Sequence, residues 1–400
     1  MYRPRTMKTP KALLASSLLL ASLAVSSCTD SQQQTTETVA SEPAATASTT
    51  ALKDVFQQDF HIGAALNYPQ AGGKDEKATA LITQHFNTIT PENLLKWGPV
   101  HPEPDKYNFG PADDFVALGQ KHDMFVVGHT LVWHNQTPDW VFEDGKGKPA
   151  SKEVLLQRME DHIRAVAGRY KGKIQGWDVV NEALNDDGTL RQSKWLTITG
   201  EEYLERAFRL ANEVDPEAEL YYNDYNMWKP AKRDGAIRLV RNLQEKGIKV
   251  DGIGMQGHWG LENPSIQQIE ESIVAFSQLG KVMITELDID VLPNPSNRNG
   301  ADIDATFEFD QKYNVYTEGL PDSVQQKLAQ RYADIFALFQ KHSDKISRVT
   351  FWGVTDANSW LNDWPIKGRT SHPLLFDRNY QPKPALEAVL NSKTKTSSTQ

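Results

Sequence analysis

From Leu52 to about Leu390 the chain alternates short runs of apolar and β-branched residues with longer amphipathic stretches. The short runs are Phe60 to Leu66, Thr88 to Glu92, Phe125 to Trp133, Gly176 to Glu182, Glu219 to Asn226, Gly252 to Trp259, Val282 to Ile289 and Val349 to Thr355, and each reads as a buried strand. Between them apolar residues return at helical spacing. Leu155, Met159, Ile163, Val166 and Tyr170 share one stripe, as do Ile266, Ile269, Ile273, Phe276 and Leu279, the second stripe opened by Pro264 and closed by Gly280. Further helices are predicted over Ser323 to Lys341 and Pro384 to Leu390. Strands alternating with helices predict an α/β fold, a (β/α)8 TIM barrel that forms a single catalytic domain over residues 52–391.

Parallel strands covered on both faces read as near-continuous apolar runs, so polar residues at their C-terminal ends point to a site at the barrel mouth. GWDVVNE ends in Asn181 and Glu182, and VMITELDID carries Glu286, with Asp288 two positions further on. Strict alternation would put Asp178, Val180 and Glu182 on one face and Trp177, Val179 and Asn181 on the other. The second strand ends in Glu92 and Asn93, followed by Lys96 and Trp97. In HTLVWH the same rule groups His129, Leu131 and Trp133, turns His134 away, and leaves Gln136 beyond the strand. The fifth strand ends in Asn223, Asp224 and Tyr225, the sixth in Gln256, His258 and Trp259, and the eighth in Trp352, with Asp356 and Trp360 following. A single histidine or tryptophan of this set is compatible with packing alone; their recurrence at successive strand ends is not. Two glutamates delivered to strand ends suit two-carboxylate sugar chemistry.

Composition narrows the function class. Lys and Arg total 43 against 52 Asp and Glu, a formal charge of −9, which argues against nucleic acid as a partner. The one cysteine, Cys28, excludes an intramolecular disulfide and a cysteine-based zinc site. A metal-dependent hydrolase would need His129, His134 and His258 together, and strand parity sends the first two to opposite faces. A polysaccharide-binding protein that does not cleave its ligand would have no use for a close pair of carboxylates.

Residues 1–28 have the three parts of a secretory signal: basic Arg3, Arg5, Lys8 and Lys11, the apolar run Ala12 to Val25, then small residues. Val25-Ser26-Ser27-Cys28 resembles a bacterial lipobox, which implies lipidation at Cys28 and an exported protein held to a bacterial membrane only through that anchor. Residues 29–51, rich in Ser, Thr, Ala and Gln, read as a flexible tether, and 392–400 as a disordered polar tail.

The motifs ENLLKW, GHTLVWH, WDVVNE, GMQGHW, ITELDI and FWGVTD, in this order, resemble those of the family 10 glycoside hydrolases, whose typical member is a retaining endo-β-1,4-xylanase. The resemblance implies that Glu182 is the acid/base and Glu286 the nucleophile. It implies that Glu92, Asn93, Lys96, His129, Trp133, Gln136, Asn181, Tyr225, Gln256, His258, Trp352 and Trp360 line sugar subsites. Asp178 and Asp288 are expected behind them, with His258 and Asp288 fixing Glu286, and with Asn181 on the sugar 2-hydroxyl. The implied substrates are xylan and xylo-oligosaccharides, with no cofactor or metal and a monomeric protein. A barrel acting on cellulose or mixed-linkage glucan is the alternative within the same class. The chain departs from shorter relatives at Pro293 to Leu320, where Phe307, Phe309, Tyr313 and Tyr316 are expected to form a self-packed cluster rather than to extend the cleft.

Overall fold

The computed structural model describes residues 50–295 and 301–396; the signal, Cys28, most of the tether and residues 397–400 lie outside the described residues. The strands are β1 (His61–Leu66), β2 (Thr88–Pro91), β3 (Phe125–Trp133), β4 (Gly176–Asn181), β5 (Glu219–Asp224), β6 (Gly252–Met255), β7 (His258–Gly260), β8 (Lys281–Asp290) and β9 (Ile346–Phe351). They pair in the order β6-β5-β4-β3-β2-β1-β9-β8-β7, and a further β6–β8 pairing closes the ring. All pairings are parallel. The result is an eight-strand barrel with helices on its outside, in which β7 is a short addition to β8. Close approach of strands selects small residues: a Cβ on Gly63 would lie 2.6 Å from the Thr88 carbonyl oxygen of the neighbouring strand.

The helices dock their apolar stripes on the barrel in one continuous core. Lys152–Arg169 buries Leu155, Met159, Ile163 and Val166; Ile266–Phe276 buries Ile269, Ile273 and Phe276. The second begins at Ser265, whose side chain accepts from the Gln268 amide while Gln268 answers the Ser265 amide.

Four sequence expectations are corrected. The predicted sixth strand breaks after Met255, because Gly257 at φ +88° turns the chain before β7 begins. Strict alternation fails in β3 and β4: the β3–β4 register shifts between His129 and Val132, and the β4–β5 register between Asp178 and Val180. Leu131 accordingly lies in the hydrophobic core. The last helix runs Pro384–Thr396, past the expected start of a disordered tail at 392, because Ser392 is buried and accepts from Gln340 Nε2 at 2.7 Å. Finally, Phe307 and Phe309 do not pack into a cluster. They are 36% and 51% exposed, whereas Ala301 and Ile303 of the same segment reach the cleft.

Candidate active site

The barrel mouth holds a cleft of about 290 Å³ lined by Glu92, Asn93, Lys96, His129, Trp133, Gln136, Asn181, Glu182, Gln256, His258, Glu286, Trp352 and Trp360. Of the residues expected to touch a sugar, only Tyr225 is absent from this lining. Its hydroxyl accepts from Arg191 Nη2 at 2.6 Å and its ring lies 3.7 Å from Lys232 Nζ, so neighbouring cations draw it away from the cavity.

Glu182 follows β4 at φ +59°, a left-handed conformation uncommon for a residue with a Cβ. Together with the register shift in β4, this turn brings Asn181 and Glu182 into the same cavity, where alternation would have parted them. The Glu182 carboxylate accepts from Trp133 Nε1 at 2.7 Å and Gln256 Nε2 at 2.9 Å. Burial raises its pKa, those two hydrogen bonds lower it, and the nearby Glu286 charge raises it further; the net direction is upward.

Glu286 is held differently. Asn223 Nδ2 donates to its Oε1 at 2.8 Å, and His258 Nε2 lies 3.0 Å from its Oε2. His258 Nδ1 forms an ion pair with Asp288 at 3.0 Å, and Trp360 Nε1 donates to the same Asp288 oxygen at 2.7 Å. Burial disfavours the charged imidazole, but Asp288 and Glu286 on either side outweigh it and push the His258 pKa up to about 10. Burial acts to raise the Glu286 pKa, yet the His258 hydrogen bond and the surrounding positive charge, Lys96 included, prevail and lower it. Two buried glutamates in one cavity are thus pushed in opposite directions: Glu182 is disposed to keep a proton and Glu286 to lose one.

The remaining groups form walls. Asp178 accepts from His129 Nδ1 at 2.9 Å. Lys96 Nζ donates to Asn93 Oδ1 at 3.1 Å and stands 4.8 Å from the Trp133 ring, and burial lowers its pKa against the pull of Glu286, Glu92 and Glu182. Burial raises the pKa of Glu92 against the opposing charge of Lys96. Trp360 stacks on Trp364 at 4.6 Å. Sequence reading named Asn223 only as one of the polar residues at the end of the fifth strand and gave it no role; Thr285 Oγ1 fixes its amide by donating to Oδ1 at 2.7 Å. Arg191, which donates to the Glu182 carbonyl oxygen at 3.1 Å from a loop with no strand pattern to mark it, was passed over altogether.

Comparison with known proteins places this geometry among relatives. Residues 51–392 match the profile described as glycosyl hydrolase family 10. The chain is 45% identical over 340 residues to endo-1,4-beta-xylanase A of Xylanibacter ruminicola, covering 85% of this chain and 92% of that one. It is 42% identical over 342 residues to a beta-1,4-xylanase of Dictyoglomus thermophilum, covering 85% and 90%. Among solved structures, a GH10 endoxylanase retrieved from a sugarcane soil metagenome superposes with a TM-score of 0.83 at 48% identity over 85% of this chain and 99% of that one. Xylanase XynB of Paenibacillus barcinonensis, complexed with a conduramine derivative, gives a TM-score of 0.77 at 40% identity over 85% and 98%.

Proposed function

Because the chain belongs to glycosyl hydrolase family 10 and is a glycoside hydrolase, we propose that it cleaves β-1,4-xylosidic bonds within xylan by double displacement. Glu286 attacks the anomeric carbon while Glu182 gives its proton to the departing glycosidic oxygen. Esterification removes the negative charge of Glu286, so Glu182 is relieved of repulsion and can ionise. It then takes a proton from the water that attacks the ester, which returns Glu286 as a carboxylate and Glu182 as an acid. Asn181, whose amide stands 3.0 Å from that of Asn223, is suited to bind the sugar 2-hydroxyl. The single observation that carries this reading is that two buried glutamates face one cleft with unlike partners, Glu182 held by Trp133 and Gln256 and Glu286 by Asn223 and His258. Xylan as the substrate is supported by the names of the relatives; Trp352 and Trp360 line the cleft, and the family resemblance implies that they crowd the face where the hydroxymethyl group of a glucosyl unit would lie.

The test is a pair of variants and a product profile. Glu286→Ala abolishes turnover of every substrate. Glu182→Ala lowers xylan turnover about 10²- to 10⁴-fold, spares the first step on aryl xylobiosides with good leaving groups, and is rescued in the second by azide. The first product seen by NMR is the β-anomer, and xylan is preferred to cellulose by about 200-fold or more. An α-anomer appearing first, or identical behaviour of the two variants on both substrate types, overturns the assignment. We further propose that Cys28 carries a lipid anchor; Cys28→Ala then releases the protein from the membrane fraction or blocks its processing, with catalysis unaltered, and unchanged fractionation counts against it.

A further inference from the structure

The left-handed turn at Glu182 is tied down by groups that the two-glutamate scheme does not use. Beyond it the chain forms a tight hairpin: Leu184 and Leu190 pair across it, and the Gly188 amide donates to the Asn185 carbonyl oxygen at 3.0 Å. The hairpin tip is seated on the helix Pro230–Glu245. Gly188, at φ +78°, lies so close to the Ala231 carbonyl oxygen that a Cβ would collide with it, and Arg238 Nη2 donates to the Gly188 carbonyl oxygen at 3.1 Å. With its tip fixed, the hairpin returns Arg191 to the turn. The Arg191 amide donates to the Ala183 carbonyl oxygen at 2.8 Å and its Nε to the Glu182 carbonyl oxygen at 3.1 Å, while Nη2 donates to the Tyr225 hydroxyl at 2.6 Å. From the end of β5, the Asn223 carbonyl oxygen accepts from the Glu182 amide at 2.9 Å and Asp224 Oδ2 from the Leu184 amide at 3.3 Å. Glu182, Ala183 and Leu184 are therefore each bonded through the backbone to Arg191 or to the end of β5. A residue with a Cβ stays in the left-handed region only where its surroundings over-determine it, and here they do.

On the proposed reaction, on which this inference rests, Glu182 must be an acid in the first step and a carboxylate in the second. We propose that Arg191 is a positioning residue for Glu182: it holds the turn that aims the carboxyl group, and it supplies a standing positive charge that favours the ionised form once Glu286 has been esterified. The charges around Glu182 single it out. Burial raises the Glu182 pKa, Gln256 and Trp133 lower it as neutral hydrogen-bond donors, Glu286 raises it and Arg191 lowers it. Asp224, fully buried, opposes ionisation of Glu182, but Lys232 Nζ stands 2.8 Å from its Oδ1 and answers that charge. Burial keeps the Tyr225 phenol neutral. Lys96 feels Glu286 and Glu92 ahead of Glu182. Arg191 directs the two side-chain hydrogen bonds above to uncharged oxygens, so its charge remains available to Glu182, which favours the guanidinium in return. When Glu286 becomes an ester its repulsion vanishes and the attraction of Arg191 stays, so both changes act in the direction that the second step needs.

Arg191→Gln keeps a donor without the charge, and Arg191→Lys keeps the charge without the planar fork. Both are compared with the unmodified protein, with melting temperatures recorded; Arg191→Met serves as a second neutral variant if Arg191→Gln does not fold. On 2,4-dinitrophenyl xylobioside the leaving group departs easily, so kcat reports the second step, which needs Glu182 ionised. On xylotetraose kcat/KM reports the first step, which needs it protonated. Loss of the cation raises the Glu182 pKa in both states. The neutral variant should therefore move the acidic limb of kcat on the dinitrophenyl glycoside and the basic limb of kcat/KM on xylotetraose in the same direction, to higher pH. Each shift should be about 1 pH unit, the lower end of what an opposite charge exerts, because Arg191 is only half-buried. On the acidic side kcat should then fall up to about tenfold. Arg191→Lys should leave both limbs near their original places. A hairpin that is merely loosened lowers rates without carrying both limbs the same way. Unmoved limbs in the neutral variant, or equal shifts in Arg191→Lys, overturn the role of Arg191 and leave the two-glutamate reaction standing. Absence of turnover of both substrates by the unmodified protein overturns the reaction and the role together.

Discussion

At the scale of single residues the decisive feature is that chemically identical side chains receive different hydrogen-bond partners. Glu286 meets a protonated imidazole locked between itself and Asp288, whereas Glu182 meets only the neutral donors Trp133 and Gln256. On the proposed reaction, activity requires Glu286 ionised and Glu182 protonated, so it should fall at low pH through the Glu286 titration and at high pH through that of Glu182. His258→Asn removes the cation that lowers the Glu286 pKa. The acidic limb of the kcat/KM profile should therefore move to higher pH, with the basic limb little changed. Trp133→Phe removes a donor that favours ionised Glu182. The Glu182 pKa should rise further, carrying the basic limb to higher pH. A pH–rate series on an aryl xylobioside checks both, and movement of the opposite limb in either variant contradicts the assignment. The glutamates themselves were legible in the sequence, because a buried strand has no packing reason to end in a carboxylate. The partners that tune them were legible only in part. His258 and Asp288 announced themselves by lying on neighbouring strand ends; Asn223 stood at a strand end too but with nothing to tie it to Glu286, and Arg191 carried no signal at all.

At the scale of elements, the precision of the site depends on how closely strands approach one another beneath it. A Cβ on Gly254 of β6 would stand 2.3 Å from Asn223 Oδ1 and 2.8 Å from the Thr285 methyl group. Gly254→Ala must therefore push on the amide that donates to Glu286. Overpacking of this kind costs about 1 to 3 kcal/mol. The variant should show a lowered melting temperature together with a reduced kcat, since the displaced Asn223 no longer orients the carboxylate. Calorimetry and steady-state kinetics measure the two effects, and a stable variant with normal kcat would mean that Asn223 has no part in holding Glu286. The same scale explains where the strand reading went wrong. Period-two alternation assumes an unbroken pleat; β3, β4 and the β6–β7 break each carry an irregularity, and at the end of β4 it lets two consecutive residues reach the cleft. Asn181 and Glu182 share the cavity for this reason, and no propensity of GWDVVNE announces it.

At the scale of the whole molecule, closure joins parts of the chain remote in sequence. Phe56 and Phe60, ahead of β1, stack at 5.3 Å and pack against Phe336 at 5.3 and 6.4 Å, with Phe339 beside them. Phe336 is fully buried, so Phe336→Ala should cost about 3 to 5 kcal/mol, lowering the denaturation midpoint while leaving both limbs of the pH profile in place because the ring touches neither glutamate. A changed profile would show that wall and mouth are coupled. By itself the sequence determined the alternation of strands and helices, hence the barrel, and the clustering of polar residues at the C-terminal strand ends, because burial imposes those periods locally on any chain that folds this way. Only the tertiary structure decided which residues share a cavity where the pleat is broken, which partners push two glutamates in opposite directions, and that Ala301 and Ile303 join the lining of that cavity. Each of these depends on contacts between residues far apart along the chain, such as Asn135 with Asp304 or Asn223 with Glu286, which no local pattern records.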